Sequence, residues 1–409
     1  MASQNKASIY PSLPGDYGLK LLMRLIACPG TTGNEAPIAA LLHEELLAIG
    51  VSPFSIFQDD SFLRIPVNTP CGNLIVQLNG NRIGPSLLFS THMDTVPLCE
   101  GAVPFYDETS GRIVSAGKTA LGGDNRTGCA ALVLLAARLL RSQIQYPKIT
   151  LLFTVREESG LFGARYVSTK HLGSPQYGFN VDGGSPAHFI RGAVGAERWE
   201  ATIEGFASHA GVHPEKGISA TIVASLALAD IYKNGWFGKV VKDNREGSSN
   251  VGILSGKNGE SVGTATNVVT DFLQMRGESR SFDANLVKEI TGAYLLALQT
   301  AANQVQSIPA KTANILFKAQ ADYDAFVLPE DSSVVIHAIE AAKTIGLSPS
   351  LELGKGGLDS NWIVKHGVPS LTFGAGQHEI HTLNEYVDLR EFHEGCDLAF
   401  SLATYLPKT

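Results

Sequence analysis

The chain has 409 residues, 44% of them hydrophobic and 17% charged, which gives apolar length for a large core and for more than one domain. A formal charge of −7 supplies no basic field for nucleic acid, and no run of about 18 apolar residues suggests a membrane span. Five scattered cysteines (Cys28, Cys71, Cys99, Cys129 and Cys396) without CxxC spacing argue against a disulfide framework and against a thiolate zinc site, so any metal must rest on histidine and carboxylate.

The start, Met1-Ala-Ser-Gln-Asn-Lys6, has no apolar stretch behind a basic segment, so a cytoplasmic location is expected. Helix signals cover Tyr17 to Cys28 and Ala36 to Ile49, the second opening near Asn34-Glu35-Ala36-Pro37 with a capping residue and an early proline. Strand-like runs follow at Asn73 to Leu78 and Ser86 to Ser90. Next come a helix from Thr127 to Arg141, a strand from Lys148 to Val155, a helix near Leu161 to Ser168 and an apolar run at Tyr177 to Val181. Short buried strands alternating with helices predict an α/β fold on a mixed, mostly parallel sheet flanked by helices.

Around Arg191-Gly-Ala-Val-Gly195 the texture changes, because Arg198 to Gly205 alternates polar with apolar residues as a half-exposed strand does. A helix from Ile218 to Lys233, strands at Ser249 to Leu254 and Thr266 to Met275, a helix from Ala284 to Gln304 and a strand from Ala313 to Ala321 complete a β-α-β-β-α-β order. That order predicts a ferredoxin-like α+β layer. The turn-rich stretch Asn244 to Gly263 reads as a hairpin connection. After Pro329 the helix and strand alternation returns with Ser332 to Ile345, Ser348 to Leu353, Trp362 to Lys365, Pro369 to Phe373 and a final helix from Leu389 to Tyr405. The expected organisation is one domain from residues 1–192 and 327–409, with a second, 193–326, inserted into it.

Acids and histidines recur just behind the strands of the first domain. They are His92 and Asp94 in Thr91-His-Met-Asp-Thr95, Asp124 in Gly122-Gly-Asp-Asn-Arg-Thr-Gly128, Glu157 and Glu158 after Ile149 to Val155, Asp182 after Tyr177 to Val181, and His381 beyond Leu371-Thr-Phe373. Each alone has a plainer reading: a loop histidine, an N-cap aspartate, a solvated turn. His378 competes with His381. Together they would gather at the carboxyl edge of one sheet, where an α/β fold builds its site. Like charges packed there need a cation, and zinc accepts both donor types. In an extended segment His92 and Asp94 point the same way, so Asp94 can accept the second ring hydrogen of His92 and fix its tautomer.

This set resembles the dinuclear zinc exopeptidase family that contains peptidase T, glutamate carboxypeptidase, succinyl-diaminopimelate desuccinylase and aminoacylase. The likeness continues through Gly205-Phe-Ala-Ser-His-Ala-Gly-Val-His-Pro-Glu-Lys-Gly217, Thr266-Asn-Val-Val269 and Arg280-Ser-Phe-Asp283. The resemblance implies two zinc ions, with cobalt or manganese as substitutes. One would be held by His92, Asp182 and Asp124, the other by Glu158, His381 and the same bridging Asp124. It also implies that Glu157 takes a proton from the bridging water and passes it to the leaving amine, with Asp94 orienting His92. From the inserted domain, acting as a lid and dimerisation unit, His209 would stabilise the oxyanion, Arg280 would grip a substrate carboxylate or carbonyl, and Asn267 would add a hydrogen bond. In dimeric relatives His209 acts from the neighbouring subunit, so a homodimer is expected. The sequence departs from many relatives at Asn125, where they carry Asp or Met.

The implied reaction is hydrolysis of an amide in a small peptide, with removal of the N-terminal residue from tripeptides as the first choice. A carboxypeptidase or an N-acyl amino-acid deacylase on the same site is the alternative, and a non-catalytic binding protein a distant one. Nucleotide binding at Gly117-Lys-Thr119 fails on spacing, since the glycine needed five places earlier is Arg112.

Overall fold

The computed structural model describes residues 16–406; the N-terminal start read above for a leader lies outside the described residues. The chain divides into two compact units. One runs from the described N-terminus to Gly192, then through Val327–Gly354 and from Leu358 onward; the other comprises Ala193–Phe326 with Lys355–Gly357.

The first unit is built on a mixed sheet. From one edge its strands run Ile56–Gln58, Leu74–Leu78, Ile149–Thr154, Leu87–His92, Tyr177–Val181, Ser370–Phe373 and His188–Ala193, and Ser350–Gly354 also pairs with His188–Ala193. The four from Ile149–Thr154 to Ser370–Phe373 run parallel to one another, and their outer neighbours Leu74–Leu78 and His188–Ala193 run antiparallel. Both faces of the central strands are covered, so their residues are apolar or hydrogen-bonded with no alternation. On one face Ile75, Leu88 and Leu152 pack with Ala164, Leu172, Ile363 and Val368. On the other, Phe89 meets Phe179 with ring centroids 5.4 Å apart. The helix Gly123–Arg141 is buried continuously to Leu139. Its run Cys129-Ala-Ala-Leu-Val-Leu-Leu-Ala-Ala137 is apolar all round, as a helix between two layers requires. It packs against Leu87–His92, Tyr17–Ala27 and Leu389–Thr404.

Several local expectations are corrected. The helix expected over Leu161 to Ser168 is one turn, Phe162–Arg165. The segment Trp362 to Lys365 is the end of a helix that begins at Asp359. A small separate sheet was not anticipated. It orders Gln377–His378, Tyr386–Asp388, Arg112–Ser115 and Pro104–Asp107, all antiparallel. Strands of two to four residues carry too little pattern to stand out from loops.

The second unit has a five-stranded antiparallel sheet ordered Gly238–Lys242, Arg245–Ser255, Phe272–Ser281, Gly195–Glu204 and Asn314–Tyr323. Helices Ala220–Lys233 and Ala284–Gln304 pack on it, with Trp199, Ile203, Met275, Ile290 and Tyr294 in the shared core. Setting aside the edge strand Gly238–Lys242, the strand order is that of a ferredoxin-like layer. Asn244 to Gly263 is mostly strand rather than connection. The turn is only Asp243-Asn244, both at positive φ (49° and 62°), between the paired residues Lys242 and Arg245, as a two-residue hairpin demands. The strand expected over Thr266 to Met275 is Phe272–Ser281 instead. Val268 forms only an isolated bridge with His209, and Val269 lies against Gly217.

Candidate metal centre

Each parallel strand of the first unit delivers polar groups at its carboxyl end. His92 ends one strand, opposite Thr154 in the next, and after Thr154 the chain turns through Arg156 at φ 52° into Glu157 and Glu158. Asp182 follows Val181. Asp124 lies in the first turn of Gly123–Arg141, where its own φ/ψ and those of Asn125 are non-helical and the peptide between them is cis. His381 lies in the loop between the strands Gln377–His378 and Tyr386–Asp388 and has φ 62°.

Asp124 is the hub. Its Oδ1 is 3.0 Å from His92 Nε2 and its Oδ2 is 3.2 Å from His381 Nε2. His92 Nε2 is also 3.9 Å from Asp182 Oδ1, while His381 Nε2 is 2.9 Å from Glu158 Oε1. The five residues therefore form two sets, His92 with Asp182 and His381 with Glu158, joined through the two oxygens of Asp124. One donor atom each from His92, Asp124 and Glu158 lies within 4.8 Å of the others. His378 stands apart, with Nε2 at 2.5 Å from Glu391 Oε2 and its ring stacked on Tyr386.

His92 is 2% exposed and Asp182 9%. Burial, then the Asp124 charge, raises the Asp182 carboxyl to about 7. Burial works against a charged His92, but its hydrogen bond to Asp124 and the neighbouring Asp94, Glu157 and Asp182 carboxylates outweigh it and lift the ring well above its ordinary value. His381 is pushed up to about 10 by Asp124 and Glu158. Carboxylates and ring nitrogens sharing buried space in this way suit a divalent cation, with nitrogen and oxygen donors of the kinds zinc accepts.

Asp94 acts differently from the expectation. The His92 Nδ1 hydrogen goes to the Asp94 main-chain carbonyl at 3.0 Å, with the carboxylate at 3.6 Å. That carboxylate instead accepts the amides of Glu157 (3.0 Å) and Glu158 (3.2 Å). The preceding amide, of Arg156, donates to buried Glu35 at 3.2 Å. Three consecutive amides are thus held by two buried carboxylates. Glu158 is engaged with His381, whereas the Glu157 carboxylate makes no hydrogen bond among the described residues. Burial holds Glu157 well above the usual carboxylate range, with Asp182, Asp359 and Glu158 adding to it against the pull of His92.

Four further residues shape the site; of these only Asn125 was singled out from sequence, and only as a departure from relatives. Glu385 accepts the amides of Leu121 and Gly122 (2.8 Å each) and Asp124 (3.0 Å). Gln377 donates to Asp182 Oδ1 at 3.2 Å. Asn125 donates to Val181 O at 2.7 Å, tying the Asp124 turn to the strand that leads to Asp182. Asp359, 1% exposed, is bonded to Thr154 and is raised to about 6, first by burial. A signal existed for Glu385, four places beyond His381 in Leu383-Asn-Glu-Tyr-Val387. Asp359 was passed over because its helix was started three residues late.

His209, Asn267 and Arg280 belong to the second unit. His209 Nδ1 accepts the amides of Gly211 and Val212 (3.2 Å each), which leaves the ring hydrogen on Nε2. The Asn267 carbonyl accepts the Ala210 amide at 2.9 Å, joining the two loops. Arg280 Nη2 donates to Glu278 at 2.9 Å, and Asp283 is the N-cap of Ala284–Gln304.

Residues 88–405 match the model of Peptidase family M20/M25/M40. The chain belongs to this family. Among curated proteins it is 30% identical over 385 residues to the uncharacterized protein YqjE of Bacillus subtilis, covering 94% of this chain and 96% of that one. It is 25% identical over 409 residues to a peptidase T of Clostridium botulinum, covering 91% and 92%. Among solved structures, a tripeptidase of Staphylococcus aureus superposes with a TM-score of 0.83 at 27% identity, covering 95% of this chain and 97% of that one. Aminopeptidase PepT of Bacillus cereus does so at 0.78 and 30%, with the same coverage. M20 membership makes the chain a peptidase-family enzyme on a mixed α/β fold, and among the described residues no helix is long and apolar enough to cross a membrane.

Proposed function

We propose that this protein is a dinuclear zinc aminopeptidase that removes the N-terminal residue from tripeptides. The observation that carries the reading is the pairing of an uncommitted Glu157 carboxylate with an adjoining cluster of two histidines and three carboxylates, buried at His92, Asp124 and Asp182 and open to solvent at His381. His92, Asp182 and Asp124 would hold one ion, and Glu158, His381 and Asp124 the other. When bound, the pair supplies Lewis acidity that acidifies water and draws electrons from the scissile carbonyl. Glu157, with no competing hydrogen bond, takes the proton of the attacking water; a C–O bond forms, the C–N bond breaks, and Glu157 returns the proton to the departing amine. His209 Nε2–H donates to the oxyanion, and Arg280 exchanges Glu278 for a substrate carboxylate or carbonyl. Asn267 adds a hydrogen bond to the same substrate.

The choice of tripeptides rests on the likeness to the S. aureus tripeptidase and to B. cereus PepT. Free-amine tripeptides assayed beside N-acetyl and N-succinyl amino acids, with zinc or cobalt present, test it. Cleavage of the tripeptides is expected; cleavage of N-blocked substrates alone would replace it with the deacylase reading, and release of C-terminal residues with the carboxypeptidase one.

A further inference from the structure

We propose that Gln377 is a positioning residue for Asp182 and therefore tunes one half of the metal pair while leaving the other alone. The inference rests on the dinuclear reading above. Gln377 is 3% exposed and lies in the small sheet, paired with Val387. Its Nε2 donates to Asp182 Oδ1 at 3.2 Å, and its Oε1 is 3.0 Å from Thr127 Oγ1. A carboxylate can only accept, so the nitrogen end must face Asp182 and the oxygen end is left to the Thr127 hydroxyl, which also lies 3.1 Å from Gly123 O.

The arrangement is asymmetric. The oxygen that Gln377 contacts is the one 3.9 Å from His92 Nε2. Among the described residues Gln377 makes no hydrogen bond to Asp124, Glu158 or His381. Its side-chain contact is thus with the His92 and Asp182 set. Partners of this kind, one step beyond the ligands, set the orientation and basicity of the groups that bind metal.

Metal-free full-length protein titrated with zinc against a chromophoric chelator, with the visible spectrum of the cobalt(II) form as second readout, tests the assignment. Gln377→Met, close in volume, is expected to weaken one binding step about 10- to 100-fold and to leave the other within about twofold. The cobalt spectrum should change for one ion only. Thr127→Val, which removes the anchor of the amide but keeps Gln377, should weaken the same step by less. If Gln377→Met fails to fold by circular dichroism, Thr127→Val decides. Two unchanged steps, or two steps weakened alike, would overturn the proposal. A wild-type protein that binds fewer than two ions would overturn the dinuclear reading and this assignment with it, a result distinguishable because it shows before any variant is made.

Discussion

Glu385 takes three backbone hydrogens, from Leu121, Gly122 and Asp124, onto its two oxygens while 2% exposed. Glu385→Ala leaves those amides without their partner, and a buried donor so stranded costs about 1–3 kcal/mol. With three such amides, the metal-free variant should therefore lose at least about 3 kcal/mol in urea unfolding. An unchanged midpoint would show that the loop holds itself. His337 offers a pH test away from the site. Its Nε2 is 2.9 Å from Leu402 O, its ring packs among Tyr177, Phe179 and Tyr405, and burial lowers it from 6.5. Because the folded value is depressed, its contribution is whole above the unfolded value near 6.5 and is lost as pH falls toward the lower folded value. The stability of wild type relative to His337→Leu should fall as pH is lowered from about 7.5 to about 5.5; a constant difference would contradict the burial argument. At this scale the chemistry-bearing residue types behind the strands were readable from the sequence. What was not readable was the division of work among oxygens. Asp94 holds His92 with its carbonyl and the Glu157 and Glu158 amides with its carboxylate, a distinction only coordinates supply.

Four parallel strands, Ile149–Thr154, Leu87–His92, Tyr177–Val181 and Ser370–Phe373, set the ends from which most of the cluster is built. Their apolar runs were legible because strands buried on both faces carry continuous hydrophobic sequence. The small sheet that brackets His381 was not, since Gln377–His378 and Tyr386–Asp388 are too short for a period to register. The start of Asp359–Lys365 was missed because Leu358-Asp-Ser-Asn361 reads as a loop, and no side-chain bond caps it in the usual serine or aspartate manner. Strand packing also fixes a stability test. Leu152 is 0% exposed between Ile75 and the helices Phe162–Arg165 and Asp359–Lys365. Leu152→Ala should cost about 2–5 kcal/mol, read as a lowered denaturation midpoint of the metal-free protein. A loss well below that range would mean that the layer closes over the gap.

At the scale of the whole molecule, the second compact unit comprises Ala193–Phe326 with Lys355–Gly357; the sequence change near Arg191 and the return of helix and strand alternation after Pro329 are the nearest sequence signals, and none pointed to Lys355–Gly357. Alternation in Arg198 to Gly205 was visible because one face of that sheet carries Arg198, Glu200, Arg276 and Lys318 while Trp199, Ala201 and Ile203 face the core. The edge strand Gly238–Lys242 was hidden by its charged, half-exposed sequence. The dimer expected through this unit is checked by sedimentation, which should give twice the chain mass of 43.5 kDa; a single chain at micromolar concentration would remove any role for His209 across subunits. The central claim is that the Glu157 carboxylate moves the proton while others hold the metal. Zinc content and tripeptide turnover measured on one preparation of Glu157→Ala test it most directly. Two zinc ions retained per chain and a turnover lower by about 10²- to 10⁴-fold are predicted. Turnover equal to wild type, or zinc lost together with activity, would contradict it.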